Sequence, residues 1–189
     1  MRRLFHWIRQ QSIGSGQNYH GRKPASDKLM FRDEIQGAPP LLLDAMLGRL
    51  ARWLRLMGYD AAYIPDTDDR EVVRQARAES RVILTRDRGL VRRRGITALL
   101  IDSQRLDDQI KEVQANIGPP SQPVVARCGV CNTPLETLPR DSAQSRVPPY
   151  IWRTQDSFTE CPGCRRVYWN GTHWSAIQGR LNGGNKRPK

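Results

Sequence analysis

Four short apolar runs, separated by amphipathic stretches, constrain this chain more than any other feature. They sit in PLLLD (40–44), YDAAYIP (59–65), RVILT (81–85) and TALLI (97–101). Each is too short for a typical buried helix and has the length of a strand covered on both faces. The intervening segments carry a helical period. Leu47, Leu50, Leu54 and Met57 fall at i, i+3, i+7 and i+10, a single apolar stripe, and Gly58 stands where such a helix ends. DTDDREVVRQARAES (66–80) reads as a helix whose N-cap is contested by Asp66, Asp68 and Asp69, with Glu71 in its first turn. GLVRRRGI (89–96) fits a short turn or helix. LDDQIKEVQANIG (106–118) is a helix stopped by Gly118, Pro119 and Pro120. Strands alternating with helices predict the α/β class, a mostly parallel sheet flanked by helices.

That topology gives the acids a place. Asp44 directly follows LLL, Asp87 lies just past RVILT, and Asp69 opens a helix. The carboxyl ends of parallel strands form the edge where α/β proteins build their sites. Carboxylates gathered there repel one another unless a hard cation binds between them, and Mg²⁺ or Mn²⁺ does this while keeping waters for chemistry. Such a site activates a water and stabilises the leaving oxygen of a phosphodiester. Asp87 is the single acid among the six arginines of RVILTRDRGLVRRR (81–94). Arg86 and Arg88 beside it, with Arg49 and Arg52 on the first helix, are candidates to hold phosphates. Plainer readings compete. Asp69 serves as a helix cap, Asp87 pairs with Arg86 or Arg88, and Arg49, Arg52 and Arg55, spaced by three, form a solvated face. Asp44 resists such a reading, because an acid directly after three leucines is costly without a partner. Asp66, Asp68, Glu71 and Asp102 are further candidate ligands.

Charge points the same way. The 189 residues hold 31 Lys and Arg against 19 Asp and Glu, a formal net charge of +12. Such an excess favours a polyanionic partner, most commonly nucleic acid. No apolar run approaches the roughly 20 residues of a membrane-spanning helix. Residues 1–26 have five Lys and Arg and no acid, the first acid being Asp27, and they lack the apolar core of a secretory signal. Residues 1–39 are expected to form a disordered basic arm, with a cytoplasmic location; Arg and Ser without acids also fit an organellar transit peptide.

Without a signal peptide the four cysteines should be reduced, which favours metal over disulfides. CGVC (Cys128, Cys131) and CPGC (Cys161, Cys164) are two CxxC pairs. Two residues between ligands let both sulfurs face one ion, and two such knuckles complete a closed tetrahedral structural zinc site. The 29 residues between the pairs exceed the usual ribbon spacing and imply a hairpin with an inserted loop. An iron–sulfur cluster or a redox dithiol is the competing use. RRVYWNGTHW (165–174) places Tyr168, Trp169, His173 and Trp174 beside the second knuckle. His173 and Trp174 are candidates to stack on RNA bases, against the alternative that these rings form the module's core.

LLLDAMLGRLARWLRLMGYDAAY, DDREVVRQARAESRVILTRDRGL, the CxxC pair followed by CPGC, and VYWNGTHW, in that order, resemble the Mut-seven C-terminal RNase family over about residues 40–178. The resemblance implies a PIN-like nuclease fold joined to a zinc ribbon. It implies a metal-dependent ribonuclease whose acids correspond to Asp44, Asp69 and Asp87, with Asp102 as a weak choice for a fourth. The organisation expected is a basic arm (1–39), a nuclease domain (40–118), a zinc ribbon (124–178) after the GPPSQPV linker, and a disordered basic tail (179–189). The runner-up is a non-catalytic RNA- or ribosome-binding protein in which the acids are remnants. Ribosomal or transfer RNA are possible ligands, and an antitoxin is a third, less favoured partner.

Overall fold

The computed structural model describes residues 37–169. The basic arm up to residue 36 and everything after 169, including the basic tail, lie outside the described residues.

The first half alternates as expected. β1 (Leu41–Leu43) leads through a 3₁₀ turn (Ala45–Leu47) into α1 (Gly48–Leu56). β2 (Ala61–Tyr63), α2 (Asp69–Ala78), β3 (Val82–Thr85), α3 (Arg88–Val91), β4 (Ala98–Leu100) and α4 (Leu106–Ile117) follow. The four strands form one sheet in the order β2-β1-β3-β4, with every pair parallel. Leu41 is in register with both Ala61 and Val82, and Ile83 with Ala98, so all four carboxyl ends fall on one edge.

Alternation along the strands sends side chains to two cores. Leu41, Leu43, Val82 and Leu84 pack with Leu50 and Leu54 of α1 and Ile110 and Val113 of α4. Leu42 and Ile83 point the other way, against Val72 and Ala76 of α2 and Leu90 of α3. Helices therefore cover both faces, and the α/β expectation is borne out. The stripe Leu47, Leu50, Leu54 and Met57 is fully buried. Gly58 ends α1 at φ +97°, where a side chain would be strained and a Cβ would lie 2.8 Å from Val124 Cγ1.

Two local details sharpen the expectation. The N-cap of α2 is Asp68, which accepts from the Glu71 N–H at 2.8 Å, so Asp69 is released from capping. The helix expected within 89–96 starts at Arg88, because Asp87 caps it, and it is over by Val91.

After the linker a second sheet forms from β5 (Glu136–Leu138), β6 (Phe158–Glu160) and β7 (Val167–Trp169), antiparallel in that order. The long insertion between the cysteine pairs is not a plain loop: it folds into α5 (Arg140–Ala143) and α6 (Pro149–Thr154). Among the described residues, Leu138, Ala143, Val147 and Phe158 form this module's buried apolar core, with Trp152 and Trp169 packed against them. Trp169 is thus part of the core. A core this small is the situation in which a bound metal carries folding energy.

Candidate functional site

Asp44 sits one residue beyond β1, at the middle of the carboxyl edge, and is only 9 % exposed. Its Oδ1 accepts from the Met46 N–H at 3.0 Å, and its Oδ2 accepts from the hydroxyl of Thr85. Thr85, the last residue of β3, is fully buried. The same hydroxyl oxygen accepts from the Asp87 N–H at 2.9 Å. Asp87 is exposed, and its Oδ1 accepts from the Gly89 N–H at 2.6 Å. One threonine thus ties together the two acids that the sequence places after β1 and β3. Each carboxylate keeps lone pairs beyond those hydrogen bonds. Thr85 was not among the expected site residues, because a threonine closing an apolar run is ordinary strand sequence.

None of the six arginines around Asp87 neutralises it. Arg81 bonds Asp60 at 2.8 Å and Glu79 at 2.5 Å, Arg88 lies 3.5 Å from Asp102, and Arg93 lies 3.4 Å from Asp69. Among the described residues Asp87 has no ion pair. The third acid, Asp69, is the partner of Arg93. The four cysteines are the described group whose ligand atoms all come within 4.8 Å of one another; Asp44, Asp69 and Asp87 do not reach that spacing. Arg49, Arg52 and Arg88 are exposed and Arg86 is half-buried. His173 and Trp174 lie outside the described residues.

Arg55 is not part of a solvated face: it is 6 % exposed. Its Nε donates to the Ala61 carbonyl at 2.7 Å, and its Nη1 to the carbonyls of Gly129 and Val130 at 3.3 and 2.9 Å. Gly129 and Val130 are the two residues inside the first CxxC pair, so α1 grips that knuckle directly. Burial lowers the Arg55 pKa, opposed by negative charge at Cys128, Cys131 and Asp60. Asn132 completes the junction. Its Oδ1 accepts from the Ala61 N–H at 3.1 Å, and its Nδ2 donates to Asp60 Oδ1 at 2.7 Å. This closes the free edge of β2, which would otherwise present unpaired backbone groups.

The cysteines form a compact cluster. Cys128 and Cys164 sulfurs are 3.5 Å apart, and Cys131 and Cys161 3.3 Å. A tetrahedron with metal–sulfur bonds of about 2.3 Å has edges of about 3.8 Å. The Val130 N–H lies 3.4 Å from Cys128 Sγ and the Cys164 N–H 3.4 Å from Cys161 Sγ, the amide support a thiolate knuckle needs. The Tyr168 hydroxyl accepts from the Gly129 N–H at 3.2 Å and lies 3.0 Å from Cys128 Sγ, where its proton can serve a thiolate. Hydrogen bonds from the Thr133 side chain and backbone bring the Cys131 pKa down to about 6. Cys164 goes up to about 11: the Arg166 backbone bond lowers it, but burial and the neighbouring thiols outweigh that. Crowding that forces one thiol to stay protonated is what a divalent cation relieves, so the donor set fits a metal such as zinc.

A family model described as the Mut7-C RNAse domain matches residues 39–181 and spans both the acidic edge and the cysteine cluster. No curated protein and no solved structure matches.

Proposed function

We propose, from the premise that this chain belongs to the Mut7-C RNAse domain family, that it hydrolyses RNA phosphodiester bonds at a Mg²⁺ or Mn²⁺ site held by Asp44 and Asp87 and completed by Asp69. An RNAse domain carries ribonuclease activity in general and RNA as its substrate. The observation that supports the finer reading is the Thr85 hydroxyl joining Asp44 to Asp87 at the carboxyl edge of a parallel sheet. Buried and solvent-facing carboxylate oxygens on adjacent strands are a hard donor set, which suits Mg²⁺ or Mn²⁺. When bound, such an ion supplies a Lewis acid at the scissile phosphate and lowers the pKa of a water.

The chain's own residues do the remainder. Asp44 is held rigidly by Met46 and Thr85, while Asp87 is the carboxylate a water reaches first. Asp69 joins when it leaves Arg93; exposed pairs of this kind contribute little, so the exchange costs little. Arg49, Arg52, Arg86 and Arg88 hold the flanking phosphates. Zinc at Cys128, Cys131, Cys161 and Cys164 has all four positions filled by thiolate and therefore acts structurally. His173 and Trp174 are the candidates to stack on bases. A second reading, a non-catalytic RNA- or ribosome-binding protein, draws support from the three acids, which do not all come within 4.8 Å of one another.

Cleavage of labelled single-stranded and structured RNA by zinc-loaded protein, with Mg²⁺, with Mn²⁺ and with neither, separates the two. Metal-dependent cutting abolished in Asp44→Asn and Asp87→Asn, with RNA binding retained, is the expected result. Tight binding without cutting in either metal supports the second reading.

A further inference from the structure

A groove of about 550 Å³ runs beside α2 and is walled by Arg70, Arg74 and Arg77 of the helix and by Arg93 and Arg94 of the turn before β4. Asp69, the first residue of α2, is the one acid among its lining residues. We infer that this groove binds the sugar–phosphate backbone of single-stranded RNA and leads it to the acidic edge; the inference rests on the ribonuclease reading.

Arg70, Arg74 and Arg77 fall at i, i+4 and i+7, one helix face about 10 Å long. A row of guanidiniums along a groove follows a phosphate backbone without reading sequence. The groove's width is fixed from within: Arg77 donates through Nε and Nη2 to the carbonyls of Gly95 and Arg94 at 3.1 and 2.6 Å. Gly95 turns the chain there at φ +73°, and a Cβ would lie 2.9 Å from Arg77 Nη2. Arg74 is held by Glu71, and Arg93 by Asp69. The exposed side chains of Arg70 and Arg94 have no partner among the described residues. Two guanidiniums are therefore open to a ligand in a groove with five arginines against one carboxylate. An acidic peptide would meet the same charge, but the groove includes Asp69, the acid that the ribonuclease reading assigns to the cutting site. A phosphate on Arg93 would displace the Asp69 carboxylate and leave that acid free to act as a metal ligand in the ribonuclease reading.

The test is fluorescence anisotropy of the zinc-loaded full chain with labelled single-stranded RNA, over a range of salt concentrations, without added Mg²⁺ or Mn²⁺. Arg70→Ala and Arg94→Ala should each weaken binding about fivefold near 0.1 M salt and reduce the slope of log affinity against log salt by about 0.7; the double variant should lose about twice that slope. Lysine at both positions should restore most of the slope, and Lys111→Ala, on the exposed side of α4, should leave it unchanged. Melting temperatures should not move, since neither side chain bonds to the fold. A double variant with the wild-type slope overturns the inference, as does a slope change no larger than that of Lys111→Ala. So does displacement of RNA by a polyglutamate probe that remains as tight in the double variant. The ribonuclease reading fails differently: a wild-type protein that binds through these arginines and cuts in neither metal contradicts that reading and leaves the groove intact.

Discussion

Thr85 has one hydroxyl and two partners, and the acidic edge depends on both. Replacing it with valine keeps the strand and the volume but removes the donor to Asp44 and the acceptor for the Asp87 N–H. Groups that orient a metal ligand are typically worth 10–100-fold in metal affinity or activity, so Thr85→Val should lower the cleavage rate by about that factor and raise the Mg²⁺ concentration for half-maximal rate. Thr85→Ser should recover most of the loss, which a purely structural role would not require. Neighbouring aspartates separate capping from chemistry. Asp68→Ala should cost about 1 kcal/mol in denaturant unfolding and leave cleavage unchanged, because Asp68 caps α2. Asp69→Asn should leave stability unchanged and slow cleavage. Asp44 was readable from the sequence because an acid after LLL demands a partner. Its partner was not, because Thr85 has the composition of any strand residue. Arg55 was misjudged for a related reason: spacing by three shows which residues share a helix side but not which side a second module covers.

The end of α1 and the first cysteine knuckle behave as one element. Arg55 links β2 to the carbonyls inside CGVC, and the Arg127 N–H bonds the Arg55 carbonyl at 2.8 Å. Arg55→Met strands buried acceptors that the guanidinium satisfied, and should destabilise the chain by about 2 to 3 kcal/mol in urea. It should also speed metal release to a chromophoric chelator, because the knuckle loses its backing charge. Element-scale legibility followed periodicity. The stripe of α1 and the four parallel strands could be read because each has a sustained pattern. α5 and α6 could not: they are four and six residues long, and Ala143 of α5 and Ile151 and Trp152 of α6 pack into a cluster with Leu138 and Phe158, residues outside both helices.

At the scale of the molecule, the junction between sheet and cysteine cluster ties stability to pH and to metal. Burial pushes the Asp60 carboxyl up, but hydrogen bonds from Arg81 and Asn132 and the charges of Arg81 and Arg127 outweigh it, so its pKa falls below the ordinary 3.8. The folded state thus holds Asp60 ionised more strongly than the unfolded chain does. Its contribution is complete above the ordinary value and is lost as the pH falls from there through the lower folded pKa. Asp60→Asn should flatten the acid limb of the stability curve below about pH 4 and change little near neutrality beyond a constant offset. Stripping the metal from the cysteines should lower the melting of the sheet as well as of the small module, since Arg55, Asn132 and Asp60 join them. The excess of positive charge was plain in the sequence; which arginines are left without an acidic partner depended on tertiary pairing, as the commitment of Arg81 to Asp60 and Glu79 shows.

The most direct test of the acidic edge as a cutting centre is single-turnover cleavage of RNA carrying a phosphorothioate at the scissile position. Sulfur binds Mg²⁺ poorly and Mn²⁺ better. Slow cleavage in Mg²⁺, recovery in Mn²⁺, and loss of that recovery in Asp44→Asn is the predicted result. Recovery that persists in Asp44→Asn, or cutting indifferent to the sulfur and to both metals, would contradict it.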